Sequence, residues 1–404
     1  MKANIEKFKY ELNKEKIIAI VFIIISFSLM ISFIINGQED IKSIFEETFL
    51  NKELSKYEKA LNITNKTEEI INDNISYKEQ FIDIYGLIQK MIGRKYIEDK
   101  NDSTRDIIKL NNKMITFVQK EQEMSSAAQK IIEFKEKLEK NKISLLYVQA
   151  PYKIKNEDDV PIGVDDYANK NVDNLLEILN NNNVNNVDLR EIFKSQNIED
   201  EFFYTDHHWK IKTAFETTNK ISEELNEKYN FNIDSYFMDI QNYKEIKTKT
   251  NFLGSIGKRI GKYYDGTDVF KYLVPNFETK LTVNNIFNKQ KLEGSFEETI
   301  IKKDLLEGKT TIDNKYACYF GGDYPEIIIE NQESTSDKKI LVIQDSFGLP
   351  FSAMMSLRVK ELRILDLRHF EKSEIDYVED FNPDIVIILY NPTSFSIEKI
   401  FEFE

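Results

Sequence analysis

The chain has 404 residues, 41% hydrophobic and 31% charged, enough for one large domain or two smaller ones. A formal net charge of −14 with no basic stripe argues against nucleic acid as a partner. The single cysteine, Cys318, excludes an intramolecular disulfide and a cysteine-rich metal site.

Residues 17–35, IIAIVFIIISFSLMISFII, carry no charge over a length that crosses a bilayer as a helix. Lys2, Lys7, Lys9, Lys14 and Lys16 precede this run, and only Lys42 and Lys52 follow closely. The positive-inside rule then predicts a cytoplasmic tail at 1–16, a transmembrane helix at 17–36 and an exported body. A cleaved signal peptide is the competing reading. The apolar run is long for one, and Asn36-Gly37-Gln38-Glu39-Asp40 offers no small-x-small cleavage site. Either way the body lies outside.

Residues 37–110 are rich in Lys and Glu and read as a helical juxtamembrane region, with charge runs on solvated helix faces. From about 111 onward the pattern becomes helix then buried strand. A helical period over 128–138 precedes the apolar run Ile143-Ser144-Leu145-Leu146-Tyr147-Val148, and a helix over 172–179 precedes Val187-Asp188-Leu189. Residues 213–229 form a further amphipathic helix. Residues 232–336 change character and read as an insertion or lid. They hold the glycine-bearing stretch Phe252-Leu253-Gly254-Ser255-Ile256-Gly257-Lys258-Arg259, either a plain turn or a substrate loop. Strands at 339–343, 362–365 and 385–389 then alternate with helices at 350–357 and 375–381. Two such crossovers predict a parallel sheet flanked by helices.

Two stretches carry candidate chemistry. The first is Phe202-Phe203-Tyr204-Thr205-Asp206-His207-His208-Trp209, which holds two of the three histidines and the only tryptophan. In an extended segment Asp206 and His208 share a face while His207 points away, which is the orienting half of a nucleophilic triad. The second is Gln344-Asp345-Ser346-Phe347-Gly348, at the carboxyl end of a predicted parallel strand, where open α/β sheets build their sites. Ser346 there stands at a helix start, which favours developing negative charge. Read singly, the first stretch is equally a surface loop and the second a helix N-cap. Their conjunction in a histidine-poor chain argues for a site.

Thr205-Asp206-His207-His208-Trp209 followed by Asp345-Ser346-Phe347 resembles the DHHW protein family and the SGNH-hydrolase-like acetyltransferases of alginate acetylation. The resemblance covers roughly residues 110–404. It implies an SGNH-hydrolase-like, flavodoxin-like α/β fold, with Ser346 as nucleophile, His208 as general base and Asp206 as its orienter. It further implies an arginine and a tyrosine near the oxyanion, for which Arg368 and Tyr390 are the matching positions, with Asn391 a rival amide donor. Gln344 departs from the usual Gly-Asp-Ser and bears on the shape of the acyl pocket. Trp209 is expected to pack behind His208, while His207 is expected to be structural and His369 a surface or strand-end residue.

The resemblance implies an O-acyltransferase or esterase, without cofactor or metal, acting on a cell-surface polysaccharide. A membrane acyltransferase that supplies acyl groups is the expected partner. Two rivals stand beside it. One is a non-catalytic glycan-binding or assembly protein, since fold alone does not guarantee activity. The other is a metal-dependent hydrolase using Asp206, His207 and His208, although no second Asp/His cluster supplies further ligands.

Overall fold

The computed structural model describes residues 77–99, 103–194 and 196–403, with residues 16, 17, 19–24, 26–28, 31 and 42. The chain divides into units at 1–85 and 86–404. In the first unit the described residues between 16 and 31 are helical and leave apolar side chains such as Ile17, Phe22 and Ile24 exposed. Among the described residues no helix is long and apolar enough to cross a membrane. The rest of the expected span at 17–36, and nearly all of 37–76, lies outside them.

Helix α1 (Lys78–Met91) is followed by an antiparallel three-stranded sheet of β1 (Tyr96–Ile97), β2 (Ile107–Lys109) and β3 (Ile115–Phe117). The region expected to be helical up to 110 therefore contains two strands, where β-branched Ile97, Ile107 and Ile108 pair. Then come α2 (Ser125–Lys140), β4 (Ser144–Gln149), α3 (Ala168–Asn181), β5 (Asn186–Asp188) and α4 (Ile211–Tyr229). A ribbon of β6 (Tyr243–Lys247) and β7 (Lys271–Pro275) brackets the short helix α5 (Ser255–Ile260). Strands β8 (Leu281–Asn285), β9 (Gln290–Gly294) and β10 (Glu326–Asn331) precede β11 (Lys339–Gln344). Helix α6 (Gly348–Met355), β12 (Glu361–Leu365), α7 (Glu374–Phe381) and β13 (Ile385–Tyr390) complete the order.

The main sheet runs β5-β4-β13-β11-β12-β10-β8-β9. From β5 to β12 the neighbours are parallel, as the two crossovers predict. Strands β10, β8 and β9 then continue it antiparallel, so the sheet is mixed rather than purely parallel. Residues 232–336 thus give the sheet its edge. Strand β8 pairs antiparallel with β9 across a short turn and joins the sheet through β10.

Burial on both faces explains why β11 and β13 read as continuous apolar runs. Leu341, Ile343, Val386 and Ile388 face a core shared with α2, α3 and α7. Ile340, Val342, Ile387 and Leu389 face a second core shared with α4 and α6. Strand β11 lies between β12 on one side and β13 on the other. The chain reverses its direction of travel there, and the carboxyl end of β11 opens at that switch point.

Candidate active site

Strand β11 delivers Asp345 and Ser346 to the carboxyl edge of the sheet. The Asp345 carboxylate, 1% exposed, accepts from the Phe347 amide (3.0 Å), the Asn391 amide (2.8 Å) and the Ser394 hydroxyl (2.8 Å). It thereby ties the serine turn to the end of β13. Burial pushes this carboxyl up, while Arg368 and the three donors pull the other way. Gln344, in place of the usual glycine, accepts from the Ser352 hydroxyl at 2.5 Å, beneath α6. An ideal Cβ on Gly348 would lie 2.2 Å from Gln344 Oε1, so glycine is required for that packing.

The Asp-His-His-Trp stretch is a tight loop closed by an antiparallel bridge between Phe202 and Trp209 and by Phe203 donating to the His208 carbonyl (3.3 Å). His208 Nδ1 lies 2.5 Å from Asp206 Oδ1, and His208 Nε2 lies 2.7 Å from Ser346 Oγ. Burial alone would raise the Asp206 carboxyl, but His208, then His207 and the Ser255 amide, hold it well below the usual carboxylate range. An ionised carboxylate only accepts, so it fixes Nδ1 as the protonated nitrogen and leaves Nε2 to accept the Ser346 proton.

The glycine-bearing stretch is the platform on which this loop rests. Ser255 N donates to Asp206 Oδ2 at 2.6 Å, Gly254 N to Thr205 Oγ1 at 2.9 Å, and Gly257 N to the Thr205 carbonyl at 2.8 Å. Asp268 accepts from the amides of Tyr204 (2.6 Å) and Thr205 (2.8 Å) and from the Thr205 hydroxyl (2.5 Å). From beneath, fully buried Lys153 donates to the carbonyls of Ile115 (2.7 Å) and Tyr204 (3.4 Å), and burial pushes its ammonium down to about 8.

Aromatic rings enclose the His208 imidazole. Tyr316 stacks on it with centroids 3.8 Å apart and planes 13° apart. His207 lies at 3.8 Å and Phe347 at 4.9 Å. Trp209 packs edge-on to Phe347 behind the histidine, as expected. Its indole nitrogen and the Tyr316 hydroxyl, both buried, are each other's polar neighbours, outside strict hydrogen-bond geometry. Tyr316, Asp268 and Lys153 went unread in the sequence, and Ser255 was read only as part of a plain turn or a substrate loop. Only the glycines at 254 and 257 hinted at a close backbone approach.

The remaining expected residues separate. Arg368 stays at the mouth, paired with Asp366 (2.5 Å) and Asp323 (2.9 Å), and acts electrostatically on Asp345 and His207. Tyr390 shares a strand face with Val386 and Ile388, turns into the α2–α3 core and donates to the Ile400 carbonyl at 2.7 Å. Asn391 is fully buried: its amide donates to the Pro151 carbonyl (2.7 Å) and its oxygen accepts from Thr393. Both brace loops instead of facing Ser346. His369 is exposed.

Possible ligand atoms of Asp206, His207 and His208 lie within 4.8 Å of one another. Both ring nitrogens of His208 are, however, engaged by Asp206 and Ser346, and His207 Nδ1 sits 2.8 Å from Ser255 Oγ. A cation would have to displace those bonds.

Residues 110–238 match the family described as SGNH hydrolase-like domain, acetyltransferase AlgX. A comparison with curated proteins gives no match. Bacillus cereus PatB1 superposes with a TM-score of 0.62 at 23% identity, over 74% of this chain and 99% of that one. PatB1 with a sulfonyl adduct gives 0.61 at 22%, over 74% and 97%. A DHHW family protein from Eubacterium siraeum gives 0.58 at 17%, over 76% and 97%. The resemblance read from the Asp-His-His-Trp and Asp-Ser-Phe stretches therefore stands, and this chain carries an SGNH-hydrolase-like α/β fold with a mixed sheet flanked by helices.

Proposed function

We propose that this protein is a membrane-anchored, extracytoplasmic serine acyl-transfer enzyme that O-acetylates or deacetylates a cell-surface polysaccharide. The observation that carries the reading is the unbroken chain from Asp206 through His208 to Ser346 Oγ, at 2.5 and 2.7 Å. A nucleophile, a base and an orienter in hydrogen-bond contact are what acyl transfer through serine needs. The match of 110–238 to an acetyltransferase family supports the acyl class. The uncharged run at 17–35, with Ile17 and Phe22 60% and 70% exposed, supports the anchor. Tail, anchor and juxtamembrane region at 1–16, 17–36 and 37–110 then precede the catalytic body at 111–404.

In the first half-reaction Ser346 Oγ attacks the ester carbonyl as its proton passes to His208 Nε2. The Ser346 amide, at the start of α6, is the proposed donor to the developing oxyanion, and Arg368, held by Asp366 and Asp323, is the proposed nearby positive charge. The tetrahedral intermediate collapses, the ester C–O bond breaks, and the leaving alkoxide takes the proton from His208. An acyl-Ser346 remains. In the second half a sugar hydroxyl, or water, gives its proton to His208 and attacks the acyl carbon, and Ser346 regains its hydrogen. The acceptor decides between transferase and esterase. An acyl donor supplied by a membrane acyltransferase completes the proposed arrangement.

The test is p-nitrophenyl acetate hydrolysis by wild type, Ser346→Ala and His208→Ala. The reading expects both variants to fall to background, and equal rates in all three would overturn it.

A further inference from the structure

We propose that Tyr316 is a positioning residue for the general base: its ring face aligns His208 and stabilises the imidazolium formed when Ser346 gives up its proton. This rests on the Ser346–His208–Asp206 reading. It also gives the 232–336 segment a part in the chemistry.

Four contacts constrain the His208 ring. Asp206 and Ser346 hold it in its plane through Nδ1 and Nε2. Tyr316 at 3.8 Å and His207 at 3.8 Å hold it from its faces. Two rings cannot both stack that closely on one side of an imidazole, so Tyr316 and His207 take opposite sides. Such a clamp prevents the imidazole from rotating about the Asp206 bond, and Nε2 stays aimed at Ser346.

The two faces differ electrostatically. A tyrosine ring presents a negative π surface, which attracts a cation lying flat upon it. The His208 ring gains a proton as Ser346 gives one up, so that attraction grows along the reaction coordinate. On the other side, burial and the neighbouring His208 push the His207 imidazole well below its usual value, so it stays neutral and adds no repelling charge. Charged groups that act on this cluster are Asp206 in the plane of the His208 ring, Asp323 from the loop beyond Tyr316, and Lys153 and Arg368, both of which act on His207.

The ring, not the hydroxyl, carries the role: the ring lies flat on His208, while the polar neighbour of the hydroxyl is the Trp209 indole and not the imidazole. The ring is also fixed in advance. It sits on a buried 3-10 turn, Lys315–Cys318, held by Lys315 N to the Asp313 carbonyl (2.8 Å) and Ala317 N to the Asn314 carbonyl (3.1 Å).

The test compares the full-length chain with Tyr316→Leu and Tyr316→Phe on p-nitrophenyl acetate across pH. Leucine keeps the site apolar but removes the π face. For Tyr316→Leu the proposal expects kcat to fall tenfold or more with KM changed less than about twofold. It also expects the acidic limb of kcat/KM to move to lower pH by about half a unit or more. Tyr316→Phe should restore both. A Tyr316→Leu enzyme with wild-type kcat and limb would overturn the proposal, as would a Tyr316→Phe enzyme as damaged as Tyr316→Leu. Tyr316→Met takes the place of leucine if that variant does not fold.

A chain with no esterase activity would sink the enzyme reading instead. The proposal is then decided by titrating the three carbon-13-labelled histidines by NMR, with His208→Asn assigning the signal. The His208 midpoint should move to lower pH in Tyr316→Leu, and an unmoved midpoint overturns the proposal.

Discussion

The backbone amide of Ser255 donates to Asp206 Oδ2 at 2.6 Å, while Oδ1 of the same carboxylate faces His208 Nδ1 at 2.5 Å. The acid of the triad is therefore held from both oxygens, and one of the holders lies 49 residues further along the chain. That contact requires the chain before α5 to press closely on the Asp206 backbone.

Gly254 makes the approach possible. An ideal Cβ there would lie 2.3 Å from Asp206 Cβ and 2.6 Å from its backbone nitrogen, closer than packed atoms come. Gly254→Ala is expected to destabilise the protein by about 1–3 kcal/mol through overpacking. Displacing Asp206 should also lower kcat at least tenfold. Thermal unfolding and ester turnover check the two effects separately.

Asp206→Asn keeps the size of the side chain but removes the charge that fixes the His208 tautomer. Turnover should fall by about 10⁴-fold, the scale seen when the equivalent charge is removed from a serine triad. The same substitution changes acid stability. The folded Asp206 carboxyl titrates below its ordinary value of 3.8, so its stabilisation is present above that value and is lost as pH falls through the folded one. Denaturation between pH 5 and 2 should show a steeper loss for wild type than for the variant.

Lys153 has a linkage of the same sign in a more alkaline window. Its ordinary value is 10.5 and burial brings it to about 8 in the folded protein. Between those values the unfolded chain binds more protons, so stability rises with pH through that window. Urea unfolding at pH 7.5, 9 and 10 should show this rise in wild type relative to Lys153→Met. Parallel curves for the two proteins would contradict the assignment.

Tyr316→Phe removes a buried hydroxyl whose polar neighbour is the Trp209 indole, outside strict hydrogen-bond geometry. Because so poorly aligned a buried pair contributes little net stability, the variant should lie within about 1 kcal/mol of wild type. A fall in Tm of several degrees would show that the hydroxyl is engaged.

The parallel half of the sheet was legible because β4, β11 and β13 are apolar on both faces and are punctuated by helical periods. Its antiparallel edge was not. The strands of 232–336 are short and mixed in polarity, and nothing local in them says which strand they will join. The triad was legible because Asp206, His208 and Ser346 belong to two rare strings. Tyr390 and Asn391 stand beside the site in sequence order, but strand alternation turns Tyr390 to the opposite core and Asn391 is spent on Pro151 and Thr393. Tyr316 left no signal, because a stacking partner is chosen by tertiary packing and Lys315-Tyr316-Ala317-Cys318 matches no motif.

The central claim is that Ser346 carries the acyl group. The most direct measurement is to treat the full-length protein with p-nitrophenyl acetate, quench in acid, and locate any acetyl group by peptide mass spectrometry. The account predicts acetyl on the peptide containing Ser346, accumulating further when the acceptor is withheld and missing from His208→Ala. Acetyl confined to surface lysines, with Ser346 unmodified at every time point, would contradict it.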